Sequence, residues 1–359
     1  MIPKKNAFTS SRKNIMNFTS IHMIHGLKTA AAAVLAYAVT LLLHIEFGYW
    51  AVISTVIVMQ VYVADSLEMC LYRLSGTVIG AILGVVVILI FPLTPTGIGS
   101  ALFLTIGICS FLTRYKPKYK MAAITVVIVV MTGMNSPNII EFGLFRVVEI
   151  CLGILCATLV SLLIFPRKKA DVLRKKLETQ AMDCSEKCNF MVAAFIAKQK
   201  NVDEFLMDNL IQDIWNNQSF FLNIRRHEAL IYKLNENFPA KVCVMGRVAE
   251  HLRNMVRILN SLDSRGYDII MAKELKDISK ESGEALVALM KNDPSFDKKK
   301  LEHLVEKVDN KLVDIRKEGL TSRFDVKRLI QVFSFYNSLK YFAEDILSGA
   351  DKIMSNKTT

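Results

Sequence analysis

Acidic side chains are nearly missing from the first 166 positions of this 359-residue chain. Glu46, Asp65, Glu68, Glu141 and Glu149 are all there are, against 28 in the remainder. Lys and Arg are also scarce there, 11 of the total of 45, so this half cannot hold itself in water by charge. Cysteines are few, at 70, 109, 151, 156, 184, 188 and 243, and four sit in apolar runs where they pack as small hydrophobes; a disulfide framework is excluded and a reducing setting is expected. No phosphate-binding glycine loop, HExxH or nucleophile elbow is present. An ATP-driven pump is disfavoured, no catalytic residue or cofactor is expected, and the chain does not read as an enzyme. The net charge of +12 divides equally between the halves, unlike the concentrated basic face of a nucleic-acid binder, so nucleic acid is not an expected partner. No apolar core precedes Gly26, so a cleaved signal peptide is not expected.

What the first half does have is uncharged apolar runs approaching the roughly 20 residues that cross a bilayer. Six spans are expected, at about 27–46, 48–64, 73–91, 97–114, 120–137 and 144–165. Turns are expected at Gly48, at 92–97 and at 135–138. Cytoplasmic loops collect Lys and Arg. The clusters at Lys4, Lys5, Arg12 and Lys13, at Arg114, Lys116, Lys118 and Lys120, and at Arg167, Lys168 and Lys169 all fall inside if the N-terminus is cytoplasmic. A cell-membrane protein follows, with a 1–25 cytoplasmic segment, a 26–166 membrane domain, a 167–355 cytoplasmic helical domain and both termini inside.

The spans contain an internal repeat. "AVISTVIVMQ" at 51–60 aligns with "AAITVVIVVM" at 122–131, and Arg73, Gly80 and Gly84 align with Arg146, Gly153 and Ala157. Each half ends in "IFP". Three spans duplicated give an odd number, so the second copy runs upside down, as in many transporters. Gly76, Gly80 and Gly84 share one helix face, as do Gly153, Ala157 and Ser161, and small residues at that spacing serve close helix packing.

Arg73 and Arg146 carry two readings. Either each snorkels to the interface, or each stands on the first turn of its helix, where dipole and free N–H groups also favour an anion. In the second reading Arg73 faces the inner mouth and Arg146 the outer. Glu149, one turn after Arg146, can pair with it, which leaves Arg73 the less compensated charge. Lys28 is a helix-end anchor or a helper at the inner mouth, and Tyr49 and Trp50 form an interfacial aromatic belt or stack on an aromatic solute. Any proton-coupling carboxylate has to be one of the five acids, and the sequence does not say which.

Tyr49-Trp50-Ala51 opening span 2, Arg73 with Gly76-Thr77, Gly80 and Gly84 on span 3, and the lysine-flanked central loop resemble the fusaric acid resistance and aromatic acid exporter superfamily, to which the plant aluminium-activated malate transporters are related. The resemblance covers about 26–166. It implies a six-span unit, a helical cytoplasmic domain, a homodimer and export or conduction of organic anions. Positive residues line the pore in the plant relatives, and Arg73 and Arg146 have that character here. Thr77 joins the candidate substrate-binding set of Arg73, Arg146, Lys28, Tyr49 and Trp50.

The second half reads as an antiparallel bundle of five or six helices, broken at Asn201, about Asn235–Pro239, Ser264–Tyr267, Asp293-Pro294 and Gly319. Its last helix has a seam of Leu329, Val332, Tyr336, Leu339, Ala343 and Ile346 for packing another helix, a Ser322/Asp325 capping box and Gly349 suited to its end. Leu301, Leu304, Val308, Leu312 and Ile315 form a further apolar stripe. Cys184 and Cys188 lie one turn apart with no histidine near, so no metal is expected, and Lys298–Lys300 reads as a solvated face. The fold class is thus all-α: a polytopic membrane protein with a 3+3 inverted repeat and a cytoplasmic bundle, with the lipid bilayer and, as the resemblance implies, an organic carboxylate, aromatic ones included, as expected partners. A membrane-anchored interaction protein whose bundle binds a partner is the alternative.

Overall fold

The structure, a computed structural model, describes residues 5–92, 94–133, 139–197, 202–229, 231–233, 237–261, 271–294, 296–319 and 326–355. Every regular element among them is helical. Contacts divide the chain into two compact units, Met1–Lys169 and Ala170–Thr359.

The first unit holds α1 (Lys5–Leu42), α2 (Tyr49–Val58), α3 (Val63–Ile90), α4 (Pro95–Thr113), α5 (Lys118–Gly133) and α6 (Ile139–Leu163). Within the 1–25 segment, α1 is helical from Lys5. Four helical stretches are long and apolar enough to cross a membrane: Ser20–Leu42, α3, α4 and Gly143–Leu163 within α6. Large apolar side chains on them point outward, Phe103 on α4 being 80% exposed. That is the surface of a multi-pass membrane protein.

Two expected spans are shorter. α5 has 16 residues and α2 only 10, about 24 and 15 Å of helix. α2 stops because Met59 turns to an extended conformation, and the Gln60 backbone N–H then donates to the Ser66 hydroxyl at 2.9 Å. α3 accordingly starts at Val63, ten residues earlier than expected. Its start is tied by the Val63 N–H to the Arg167 carbonyl, and by Lys169 to Asp65 in its first turn. α4 opens as sequence rules suggest, with Thr94 capping the Gly97 N–H and Pro95 in its first turn. The expected 135–138 turn lies outside the described residues.

Among its described residues the second unit has six helices, α7 (Lys169–Ile196), α8 (Asp208–Asn223), α9 (Phe238–Ser261), α10 (Ala272–Lys291), α11 (Lys298–Lys317) and α12 (Val326–Ser355), with a 3₁₀ turn before α8 and a π turn after it. Asp297 caps α11, and Asn292 and Gly319 end α10 and α11 at positive φ. The Asn201 and Ser264–Tyr267 breaks and the Ser322/Asp325 capping box fall outside the described residues.

Leu329 is half-buried, while the α12 seam from Val332 to Ile346 is buried inside this unit, chiefly against α9, together with fully buried Phe335 and Phe342. It is therefore not a free surface. Gly349 does not end α12, which runs six residues further; a Cβ there would collide with Val244 of α9, so the glycine is a close-approach residue. Cys184 and Cys188 are both fully buried, and burial raises both thiols, Cys188 to about 12. Lys298 and Lys300 pair with Asp351 and Glu281, so the lysine run is partly neutralised on the bundle surface.

Candidate functional site

The small-residue stripes are helix contacts. On α3, an added Cβ at Gly76 would lie 2.5 Å from the Lys118 carbonyl oxygen, and one at Gly80 would lie 2.5 Å from that of Ala122. Gly84 faces Val129 in the same way, so the whole stripe beds on α5. On α6, Gly153 meets the Ala51 backbone of α2, where the Thr55 hydroxyl lies 2.9 Å from the Gly153 carbonyl oxygen. Ala157 is fully buried beside Ala32, Val58 and Cys70.

These contacts set the depth of the two arginines. α3 begins at Val63 and α6 at Ile139, so Arg73 is ten residues and Arg146 seven residues inside its helix. That overturns the first-turn reading: helix-end dipole and free N–H groups act only within the terminal turn. Interfacial snorkelling fails as well, since Arg73 is 0% and Arg146 1% exposed.

Arg73 places one guanidinium nitrogen 3.3 Å from the Ser54 hydroxyl of α2 and the other 3.9 Å from the Met121 sulfur of α5. Among the described residues its Nε has no partner and no carboxylate lies within 4 Å of it. Arg146 is arranged differently. It forms an ion pair with Glu149 at 2.8 Å, and its guanidinium lies 4.7 Å from the Phe47 ring centre and 5.6 Å from that of Trp50. Ser54 and Trp50 are one turn apart on α2, so both arginines are applied to the same short helix.

The remaining candidates sort by their bonds. The Thr77 hydroxyl donates to the Arg73 carbonyl oxygen at 2.7 Å, a bond within its own helix that any intramembrane threonine can make. Lys28 is buried and donates to the carbonyl oxygen of Phe165, just past the end of α6, so it closes a helix end. The Tyr49 ring lies 5.3 Å from that of Trp50 and is half exposed, while Trp50 Nε1 is buried without an acceptor among the described residues. Phe47, Ser54 and Met121 were not singled out from the sequence. Ser54 had a signal: it aligns with Thr125 in the repeat, a hydroxyl at the same place in both apolar runs.

A family model for the fusaric acid resistance protein family matches residues 22–214, more than half of the chain. The chain belongs to that family. The match runs past the membrane unit through α7 and into α8, further than the motif resemblance at 26–166. Among curated relatives, the p-hydroxybenzoic acid efflux pump subunit AaeB of Escherichia coli O157:H7 is 28% identical over 181 residues, and that of Shigella boydii serotype 18 is 28% identical over 180. In both cases the alignment covers 46% of this chain and 28% of the relative.

Proposed function

We propose that this chain is a membrane transporter that exports organic carboxylate anions, aromatic ones included. The observation that carries the reading is Arg73, a fully buried guanidinium with no carboxylate within reach among the described residues. Burying an unpaired charge costs several kcal/mol. A mobile anion arriving at Arg73 supplies the missing partner. Family membership and the efflux function named for the relatives point the same way, while exposed apolar side chains such as Leu27, Val34 and Leu41 of α1 and Phe103, Ile108 and Phe111 of α4 suit lipid.

In this reading the six helices of the first unit all serve the membrane domain as a 3+3 inverted repeat. The exchange of contacts supports it: α3 lays its glycine stripe on α5 of the other half, and α6 lays Gly153 on α2. The basic clusters support a topology with both termini and the helical second unit on the cytoplasmic side of the cell membrane. The relatives are much longer than the matched stretch, and two copies of this chain would supply the second membrane unit as a homodimer. The anion is drawn to Arg73 beside Ser54, moves one turn along α2 to Arg146 under Trp50 and Phe47, and leaves from there.

The test is counterflow of p-hydroxybenzoate from liposomes containing the purified chain. Arg73→Ala is expected to lower the rate about 10- to 100-fold, the worth of one charge-assisted contact, with Arg73→Lys in between. Unchanged flux in a well-folded Arg73→Ala protein sinks the anion site.

A further inference from the structure

Glu149 is the only buried acid of the first unit among the described residues, 2% exposed, and it sits 2.8 Å from an equally buried Arg146. The other acids are accounted for elsewhere. Glu46 and Glu141 are exposed, Asp65 pairs with Lys169, and Glu68 accepts from the Tyr72 hydroxyl at 2.6 Å. Over the pair lie two aromatic faces, Phe47 and Trp50, and the Trp50 indole N–H is buried with no acceptor among the described residues. A cation, two ring faces and an unused donor are what an aromatic carboxylate needs, but the cation is already occupied by the chain's own carboxylate.

We propose that Glu149 is a displaceable counter-ion: a substrate carboxylate replaces it on Arg146, and Glu149 leaves the pair by accepting a proton. This rests on the anion-export reading. Two carboxylates sharing one guanidinium in a dry site repel, and the repulsion is relieved when one becomes neutral. The balance is complete. The Arg146–Glu149 pair, one carboxylate anion and one proton give an Arg146–substrate pair and a neutral Glu149 acid, with no change in net charge. Each anion bound therefore takes up one proton, and the site exchanges an internal salt bridge for a loaded acid.

Groups on the surrounding helices leave this exchange to Glu149. α6 packs against α1, α2, α3 and α5. From α1, Lys28 is committed to the Phe165 carbonyl, and His22 and His25 lie further toward the start of the helix. From α2, Tyr49 stands beside Trp50. From α3, Arg73 is held at Ser54 and Cys70 contacts Thr158, while Asp65, Glu68 and Tyr72 lie nearer its start. α5 carries Lys118, Tyr119 and Lys120 in its first turn, where Gly76 packs.

The full chain in lipid nanodiscs is titrated with p-hydroxybenzoate in weak buffer containing a pH indicator, and its affinity is measured across the neutral range. About one proton taken up per anion is expected, with affinity weakening about tenfold per pH unit as linkage requires. Glu149→Gln is expected to bind with no proton uptake and no pH dependence, and Glu149→Asp to restore both. Anion binding by the wild-type chain without proton uptake overturns the inference, as does proton uptake that persists in Glu149→Gln. The wild-type pH dependence decides the matter even if Glu149→Gln does not fold. A wild-type chain that binds no aromatic carboxylate overturns the export reading, and this inference with it.

Discussion

A guanidinium in a helical membrane protein either reaches the headgroups or turns inward and needs company, and the two arginines here turn inward with different company. Arg146 has Glu149 and two rings; Arg73 has a hydroxyl and a thioether. That contrast was legible in the sequence as the acid one turn after Arg146 and the glycine in the same place after Arg73. Their depth was not, because the uncharged run starts at Leu74 whereas the helix starts at Val63, and charge spacing says nothing about where a backbone turns. The glycines allow a sharp comparison. Gly80→Leu is expected to cost about 1–3 kcal/mol or more by overpacking against Ala122. Gly107→Ala has open space around it and is expected to be neutral or slightly stabilising. Thermal melts of the purified proteins in one detergent distinguish these outcomes, and equal melting temperatures would contradict the close contact. Thiol chemistry gives a second residue-level check. Cys243 is exposed and is expected to react with maleimide in the native protein, whereas Cys184 and Cys188 react only after unfolding. The folded state keeps the Cys188 proton to about 12 while an ordinary thiol releases it near 9, so the unfolded chain loses the proton first and stability falls as pH rises through that window.

At the scale of elements, periodicity predicted the helices and missed how they are used. The α12 seam was visible as a three-four spacing, yet Phe335 and Phe342 widen it to a helix buried on several sides. A stripe in sequence shows that a face is covered, not whether the cover comes from the same chain. Phe335 stacks on Phe195 with ring centres 4.0 Å apart and is fully buried. Phe335→Ala is expected to destabilise the bundle by about 3–5 kcal/mol, read as a loss of cooperative helical signal in chemical denaturation. α2 was the harder case: 17 uncharged residues read as one span, and the structure cuts the helix at Val58. The cut is made by backbone bonds to Ser66 and could not be seen from hydropathy.

For the whole molecule, the composition break near Pro166, with five acids before it and 28 after, falls within a few residues of the division between Lys169 and Ala170. Residues 170–359, expressed alone, are expected to be soluble and to melt as a cooperative helical domain, because their core closes within the unit. A fragment that aggregates or shows no cooperative transition in circular dichroism contradicts that independence.

The brevity of α2 has an electrical consequence. About 15 Å of helix covers half of a hydrocarbon layer about 30 Å thick, and both arginines lie against it. If water enters on the side of the Met59–Tyr62 break, the membrane potential drops across the remaining thickness rather than the whole. A charge stepping from Ser54 to Trp50 then crosses a steep part of the field in about 6 Å, and the step becomes sensitive to voltage.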